Sequence, residues 1–269
     1  MIIFTKMSGS DNDFVVIDNR SDIISGRASF ARSVCRRRTS IGADGLILIE
    51  KSKRADFRMR IFNPDGSEAE MCGNGARCAA LYANLKFKRP DAKRWSIQTG
   101  AGILSAQIKA ANSVKIKMVE PKELKLDFNI KLDGTPYTLS YLNTGVPHTV
   151  VWVKDIDKAD VYNLGRKIRH HSYFNPAGTN VNFVKVKDKN SIYIRTYERG
   201  VENETLACGT GSTASAIIAG LTRGLISPVL VHTRGGEVLK IYFSQKGAKI
   251  KDVYLEGNVK FVFQGEIAA

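Results

Sequence analysis

Two cysteines stand in near-copies of one short phrase, 136 positions apart: Met71-Cys72-Gly73-Asn74-Gly75 and Ala207-Cys208-Gly209-Thr210-Gly211. A thiolate is a competent base and a thiol a competent acid, provided the surroundings poise the pKa. One of each on opposite sides of a carbon could remove a hydrogen from one face and deliver one to the other. The centre would invert without any prosthetic group. An amino acid's α-hydrogen is a very weak acid, so the negative charge built on its removal would need stabilising in place.

The phrases suggest how. Each cysteine precedes a segment of small, mostly apolar residues, Ala76 to Ala83 with one charge and Ser212 to Ala219 with none. Segments of that kind read as helices buried on every side. The first N–H groups of a helix lack internal partners, carry partial positive charge and bind anions. Cysteines at such starts would lean toward thiolate, and glycines at 73, 75, 209 and 211 would let a carboxylate approach the backbone closely. The remaining cysteines, Cys35 and Cys78, read as small buried hydrophobes. No CxxC pair or Cys/His cluster points to zinc, and no cofactor phrase is evident, so neither a metal nor a cofactor is expected.

The phrases are part of a longer repeat at the same offset. Gly9 matches Gly145, Gly42 matches Gly178 and Glu68 matches Glu204, while Gly100 to Leu104 echoes Gly235 to Leu239 with a slip of one residue. The chain therefore reads as a duplication in which each half brings one thiol. Short runs rich in β-formers dominate both halves, among them Phe14–Asp18, Leu46–Ile49, Phe57–Ile61, Val114–Met118, Thr149–Val153, Val181–Val186, Ser191–Thr196 and Leu239–Phe243. Helices are expected at Arg27 to Arg37 and Val161 to Arg169, in matching places, and after each cysteine phrase. The expected fold is α+β: two pseudo-symmetric domains, each a barrel-like sheet wrapped around a central buried helix. The boundaries fall at 1–119 and 120–258, with the last strand, about 259–269, returning to the first domain. The active site would lie in the cleft between the two.

A chain of 269 residues suffices for two such domains. No run reaches membrane-spanning length, and the N-terminal stretch lacks the basic and apolar regions of a signal peptide, so a cytoplasmic protein with reduced thiols is expected. The net charge of +15 raises the question of nucleic acid. Its positive residues are scattered, the densest run being Arg36-Arg37-Arg38, and no nucleic-acid-binding phrase is present. A solvated basic surface is the expected reading, with a non-catalytic basic binding protein as the remote alternative.

Several phrases together resemble diaminopimelate epimerase, a PLP-independent amino-acid epimerase family: Phe4 to Gly9, Asn12-Asp13-Phe14, Ile41 to Gly45, Phe62 to Ala69 with the first cysteine phrase, Gly178 to Phe183, and Tyr197 to Gly200 with the second. Asn after Cys-Gly in the first phrase separates the chain from proline-racemase relatives, which usually carry His there. The resemblance implies conversion of LL-2,6-diaminopimelate to the meso form, for lysine and peptidoglycan precursors, by a homodimer. It implies Cys72 and Cys208 as the acid/base pair, His148 as partner of the first and Glu198 as partner of the second. Asn12, Asn63, Asn180, Glu198 and Arg199 would hold the substrate's distal end, and the backbone at Gly73, Asn74, Gly209 and Thr210 its reacting carboxylate. Many members have Gly at the place of Asp11, some have Gln at that of Gly45, and some have Asn at that of Val146. These departures bear on the strictness of substrate choice and not on the α-centre. The nearer alternative is a same-fold racemase or isomerase acting on another small acid. A redox protein closing Cys72 to Cys208 is a third reading.

Overall fold

The computed structural model describes residues 1–10, 12–87, 89, 93–247 and 249–268. Asp11, the first of the three departures, lies outside the described residues. The chain divides into two compact units, Met1–Lys117 with the segment from Glu256 onward, and Met118–Leu255.

In the first unit, β1 (Ile2–Gly9), β2 (Asn12–Asp18), α1 (Arg27–Val34), β3 (Gly45–Glu50), β4 (Phe57–Phe62), the short β5 (Glu68–Ala69), α2 (Gly73–Lys86), β6 (Arg94–Thr99), β7 (Gly102–Ala110) and β8 (Ser113–Lys117) follow in order. The last strand of the chain, β17 (Lys249–Ile267), pairs antiparallel with β1 from Ile267↔Ile2 to Val259↔Gly9. The ladder continues β1–β2–β3–β4–β6–β7–β8. Val259 N–H donates to Asn112 O at 2.8 Å and Ser113 Oγ donates to Glu256 Oε1 at 2.9 Å, which brings β17 back beside β8 and closes the ring.

The two parallel pairs, β2 with β3 and β4 with β6, are the ones whose connections contain a helix. A parallel pair needs such a crossover. The crossover through α2 runs inside the ring: every residue from Asn74 to Ala83 is buried. A helix surrounded by strands must be narrow, and Gly75, Ala76, Ala79, Ala80 and Ala83 supply that. Arg77, the one charge in this stretch, is fully buried with its guanidinium on the Ser10 hydroxyl.

The second unit repeats the plan: β9 (Lys122–Leu132), β10 (Thr135–Asn143), β11 (Pro147–Trp152), α3 (Val161–Arg169), β12 (Asn180–Asp188), β13 (Ser191–Glu198), β14 (Asn203–Thr205), α4 (Gly209–Arg223), β15 (Val229–His232), β16 (Val238–Lys246) and the first part of β17. Its parallel pairs are β11 with β12 and β13 with β15, again across helical connections. Gly211 to Ala219 are all buried along α4. Burying Ile217 and Ile218 there stabilises the unit by roughly 1.5–3 kcal/mol each.

The α+β architecture of barrel-like sheets around buried helices thus matches the sequence reading. One helix boundary differs. α1 stops at Val34 rather than Arg37, because Cys35 caps it and the chain turns back so that Gly42 N–H reaches Val34 O. Among the described residues no helix is long and apolar enough to cross a membrane.

Candidate active site

Cys72 is the N-cap of α2, with extended backbone (φ −140°, ψ 122°), and its Sγ accepts from Gly75 N–H at 3.4 Å. Cys208 is the N-cap of α4 in nearly the same conformation (φ −127°, ψ 110°). A capping sulfur sits where the helix N–H groups point, which favours the thiolate. Burial opposes this at Cys208. The thiol is pushed up to about 12, first by burial and then by the charge of Glu198, while Thr210 and the N–H groups of Thr210 and Gly211 pull it down. Cys208 therefore rests as the thiol. None of the four cysteines is in a disulfide, and Cys35 and Cys78 are buried in the core.

Glu198 ends β13, half-buried, and burial raises its pKa against the pull of the nearby Thr205 hydroxyl. A carboxyl held up in this way beside a thiol is suited to exchanging protons with it. His148, in β11, is fully buried. Its Nε2 lies 2.9 Å from Thr210 Oγ1, and that hydroxyl oxygen lies 3.5 Å from Cys208 Sγ. Its Nδ1 lies 3.2 Å from the amide nitrogen of Asn182. Burial, with the Arg199 charge acting in the same sense, holds the imidazole down at about 3, so it is neutral at pH 7.

The polar candidates fall into two local groups. In the first unit Asn74 Nδ2 donates to Asn12 Oδ1 at 2.7 Å, and Asn12 Nδ2 donates to Asp44 Oδ2 at 3.2 Å. Asp44 and Asp13 are tied by Arg37 at 2.7 and 2.8 Å, and Lys6 pairs with Asp13 at 2.7 Å. Asn63 stands apart and exposed, in a turn closed by its own backbone on Ser67, with Nδ2 donating to Ser67 Oγ at 2.9 Å. In the second unit Asn180 Nδ2 donates to Pro147 O at 2.8 Å, and its Oδ1 accepts from Arg199 N–H at 2.8 Å. The Arg199 guanidinium reaches Ala177 O at 3.0 Å. Asn180 thereby joins the starts of β11 and β12 to the end of β13. A cavity of about 400 Å³ in this unit is lined in part by Tyr141, Pro147, Tyr173, Phe174 and Ala177, so it abuts the Arg199 group; neither thiol lines it.

Two of the helix-start glycines serve packing. A Cβ on Gly75 would come 3.0 Å from Ile61 Cδ1 and 3.2 Å from Ile47 Cδ1, and one on Gly211 would come 2.3 Å from Asn182 Oδ1. Gly73 is different: its nearest neighbour would be Ile116 Cδ1 at 3.6 Å, which leaves that stretch of backbone approachable.

A family model for diaminopimelate epimerase matches residues 4–124 and 140–262. The chain belongs to the diaminopimelate epimerase family. It is 45% identical over 278 residues to a diaminopimelate epimerase of Aquifex aeolicus, an alignment covering 98% of this chain and 97% of that one. With the diaminopimelate epimerase of Chlorobaculum tepidum it shares 41% over 262 residues, covering 97% and 99%. Among solved structures, a phenazine biosynthesis protein of the PhzF family from Bacillus anthracis matches with a TM-score of 0.74 at 17% identity, over 100% of this chain and 99% of that one. A hydroxyproline epimerase from Agrobacterium vitis matches with a TM-score of 0.68 at 16% identity, over 99% and 90%. These two likenesses show that the fold is shared.

Sequence reasoning did not single out Asn182 or Thr196, whose hydroxyl lies 3.0 Å from Asn182 Oδ1. The signal was a polar residue inside the otherwise apolar run Val181 to Val184, every residue of which is buried.

Proposed function

We propose that this member of the diaminopimelate epimerase family, an isomerase, converts LL-2,6-diaminopimelate to the meso form by direct proton exchange at one α-carbon, with one thiol from each repeat acting on opposite faces. The observation that carries this reading is the duplicated cap: each cysteine is the N-cap of a buried helix, in its own copy of the fold. The substrate carboxylate would bind at the helix starts, against the N–H groups at Gly73-Asn74 and Gly209-Thr210. Those groups are fixed before reaction and meet the charge as it develops. Cys208, resting as the thiol, is ready to deliver a proton, while Cys72 takes one; in the reverse direction the roles exchange. Glu198 serves Cys208 and His148 serves Cys72. Asn12, Asn63, Asn180, Glu198 and Arg199 hold the distal ammonium and carboxylate, with Arg199 suited to a two-pronged grip. On this reading the domains are bounded near residue 119 and near 258, and the reaction requires no prosthetic group.

We further infer a homodimer acting in the cytoplasm. Phe261, Val262 and Phe263 on β17 and Ile3 on the neighbouring β1 are exposed apolar side chains that a second copy could cover. Val146 and Gly45, in place of polar residues found in some relatives, allow relaxed acceptance of related diamino acids.

Incubating the LL isomer in heavy water tests the reaction. Meso product carrying solvent deuterium at the inverted carbon is expected. Inactivity on diaminopimelate with turnover of proline, hydroxyproline or glutamate would instead assign the chain to a same-fold racemase of another small acid.

A further inference from the structure

The surroundings of His148 decide which nitrogen carries its proton. Asn182 Nδ2 lies 3.0 Å from Thr149 O, and a backbone carbonyl can only accept, so the amide nitrogen must be the atom facing it. The same NH2 group then meets His148 Nδ1 at 3.2 Å, and the amide oxygen is left for the Thr196 hydroxyl at 3.0 Å. A donor aimed at Nδ1 demands a lone pair there. In a neutral imidazole the proton must then sit on Nε2, where the Thr210 hydroxyl accepts it at 2.9 Å. All of Asn182, Thr196 and Thr149 are buried, so no water competes for these bonds.

The duplication supports a dedicated role. Asn12 occupies the place of His148 in the first repeat, and Ile47, which faces Gly75 as Asn182 faces Gly211, the place of Asn182. Ile47 is fully buried in β3, as Asn182 is in β12. The polar residue is present in the copy that carries the imidazole, whereas Asn12 takes its bonds from Asn74 and gives one to Asp44. An amide inside a strand core costs free energy unless each of its groups is bonded, and here each is.

We propose that Asn182 is a positioning residue that locks His148 in the tautomer with the proton on Nε2. His148 then donates from Nε2 to the Thr210 hydroxyl, so on that side it has no lone pair with which to remove a thiol's proton. This rests on the reading of His148 as part of the site, but its test is independent of turnover.

The test is a two-bond 1H–15N spectrum of the full chain labelled at histidine, with the four imidazoles told apart by single substitution. At pH 7 His148 is expected to show a bare Nδ1 and a protonated Nε2. Asn182→Asp, which replaces the donor by an acceptor, is expected to move the proton to Nδ1 or to give the imidazolium. Asn182→Ala, which only deletes the donor, is expected to give both neutral tautomers. A wild-type spectrum with Nδ1 protonated would overturn the proposal even if neither variant folded. So would an unchanged tautomer in a folded variant. Loss of epimerase activity without a change of tautomer would also count against it, while a correct tautomer in a chain inactive on diaminopimelate would leave it standing and reject the functional reading.

Discussion

Asn74, the second residue of α2, donates its side-chain amide to Asn12 at 2.7 Å, and 136 positions later Thr210 and His148 make the same contact at 2.9 Å. Each pair ties the strand that enters the first helical crossover of its repeat, β2 or β11, to the start of the buried helix, two residues beyond the capping cysteine. The duplication has preserved the contact and changed its chemistry. In the first copy two amides meet beside the Asp44 carboxylate. In the second an imidazole meets a hydroxyl beside a thiol. Two anchored helix starts with different polar neighbours suit a reaction whose two protons are handled by equivalent thiols in unequal surroundings.

Replacing either Cys72 or Cys208 by alanine is expected to lower kcat on diaminopimelate by at least ~10³-fold while leaving the fold intact, since a positioned acid or base contributes roughly 10²–10⁴-fold and the partner thiol cannot complete the exchange alone. The double variant should be scarcely worse than either single one, because the two groups act as a unit. Steady-state rates with circular dichroism on the same samples check this. Substantial turnover in both single variants would reject the two-thiol scheme.

The glycines separate packing from access. Gly211→Ala would set a Cβ 2.3 Å from Asn182 Oδ1 and 3.2 Å from His148 Cε1, both held by their own hydrogen bonds, so a loss of about 1–3 kcal/mol in stability is expected. Gly73→Ala meets nothing nearer than 3.6 Å and should melt close to wild type. Its methyl group would instead crowd the backbone proposed to hold the carboxylate, raising KM. Thermal melts and Michaelis constants on the two variants distinguish the effects.

Much of this could be read in the chain itself. The shared offset of Cys72 and Cys208 announced the repeat, and the small, nearly uncharged runs after each cysteine announced helices buried all round. The packing role of Gly75 and Gly211 was not legible, because a glycine that admits a ligand and one that admits a facing isoleucine or asparagine look alike until the strands are placed. Asn63-Pro64-Asp65-Gly66 could be read as turn or site; the structure shows the turn, with the Asn63 amide engaged on Ser67. Asn182 escaped because hydrogen bonding across strands depends on register, here His148 opposite Asn180 and Asn182 opposite Thr196, which no local pattern encodes.

Glu198 and Cys208 are coupled in a direction that can be measured. After burial, the Glu198 charge is the next influence raising the thiol pKa. Removing that charge with Glu198→Gln should lower the pKa and enlarge the thiolate fraction at pH 9 by roughly three- to tenfold, a change of up to about one pKa unit. The rate of iodoacetamide incorporation at Cys208, followed by peptide mass spectrometry, reads this directly. An unchanged or slower rate would break the coupling, and with it the assignment of Glu198 to this thiol.

Two groups should set the acid limb of stability in separate windows. His148 is held down at about 3 in the folded chain against an ordinary value of 6.5, first by burial. The unfolded chain therefore binds a proton that the folded one refuses, so stability is whole above 6.5 and drains as pH falls toward 3, by on the order of a few kcal/mol. Asp13 is lowered from 3.8 to about 2, because Lys6 and Arg37 outweigh the opposing effect of burial. Its contribution, about 2 kcal/mol, is present above 3.8 and disappears only as pH falls through that lower range. His148→Gln should flatten the dependence of the urea midpoint between pH 6.5 and 4, leaving the smaller slope due to surface His232, whose pKa is also lowered by partial burial. Asp13→Asn should leave the slope in that region unchanged while lowering the midpoint by a constant amount throughout the range above pH 4. A wild-type midpoint that stays level from pH 7 to 4 would mean that His148 gains its proton in the folded chain as readily as in the unfolded one, and that the enclosed arrangement with Asn182 and Thr210 does not hold in solution.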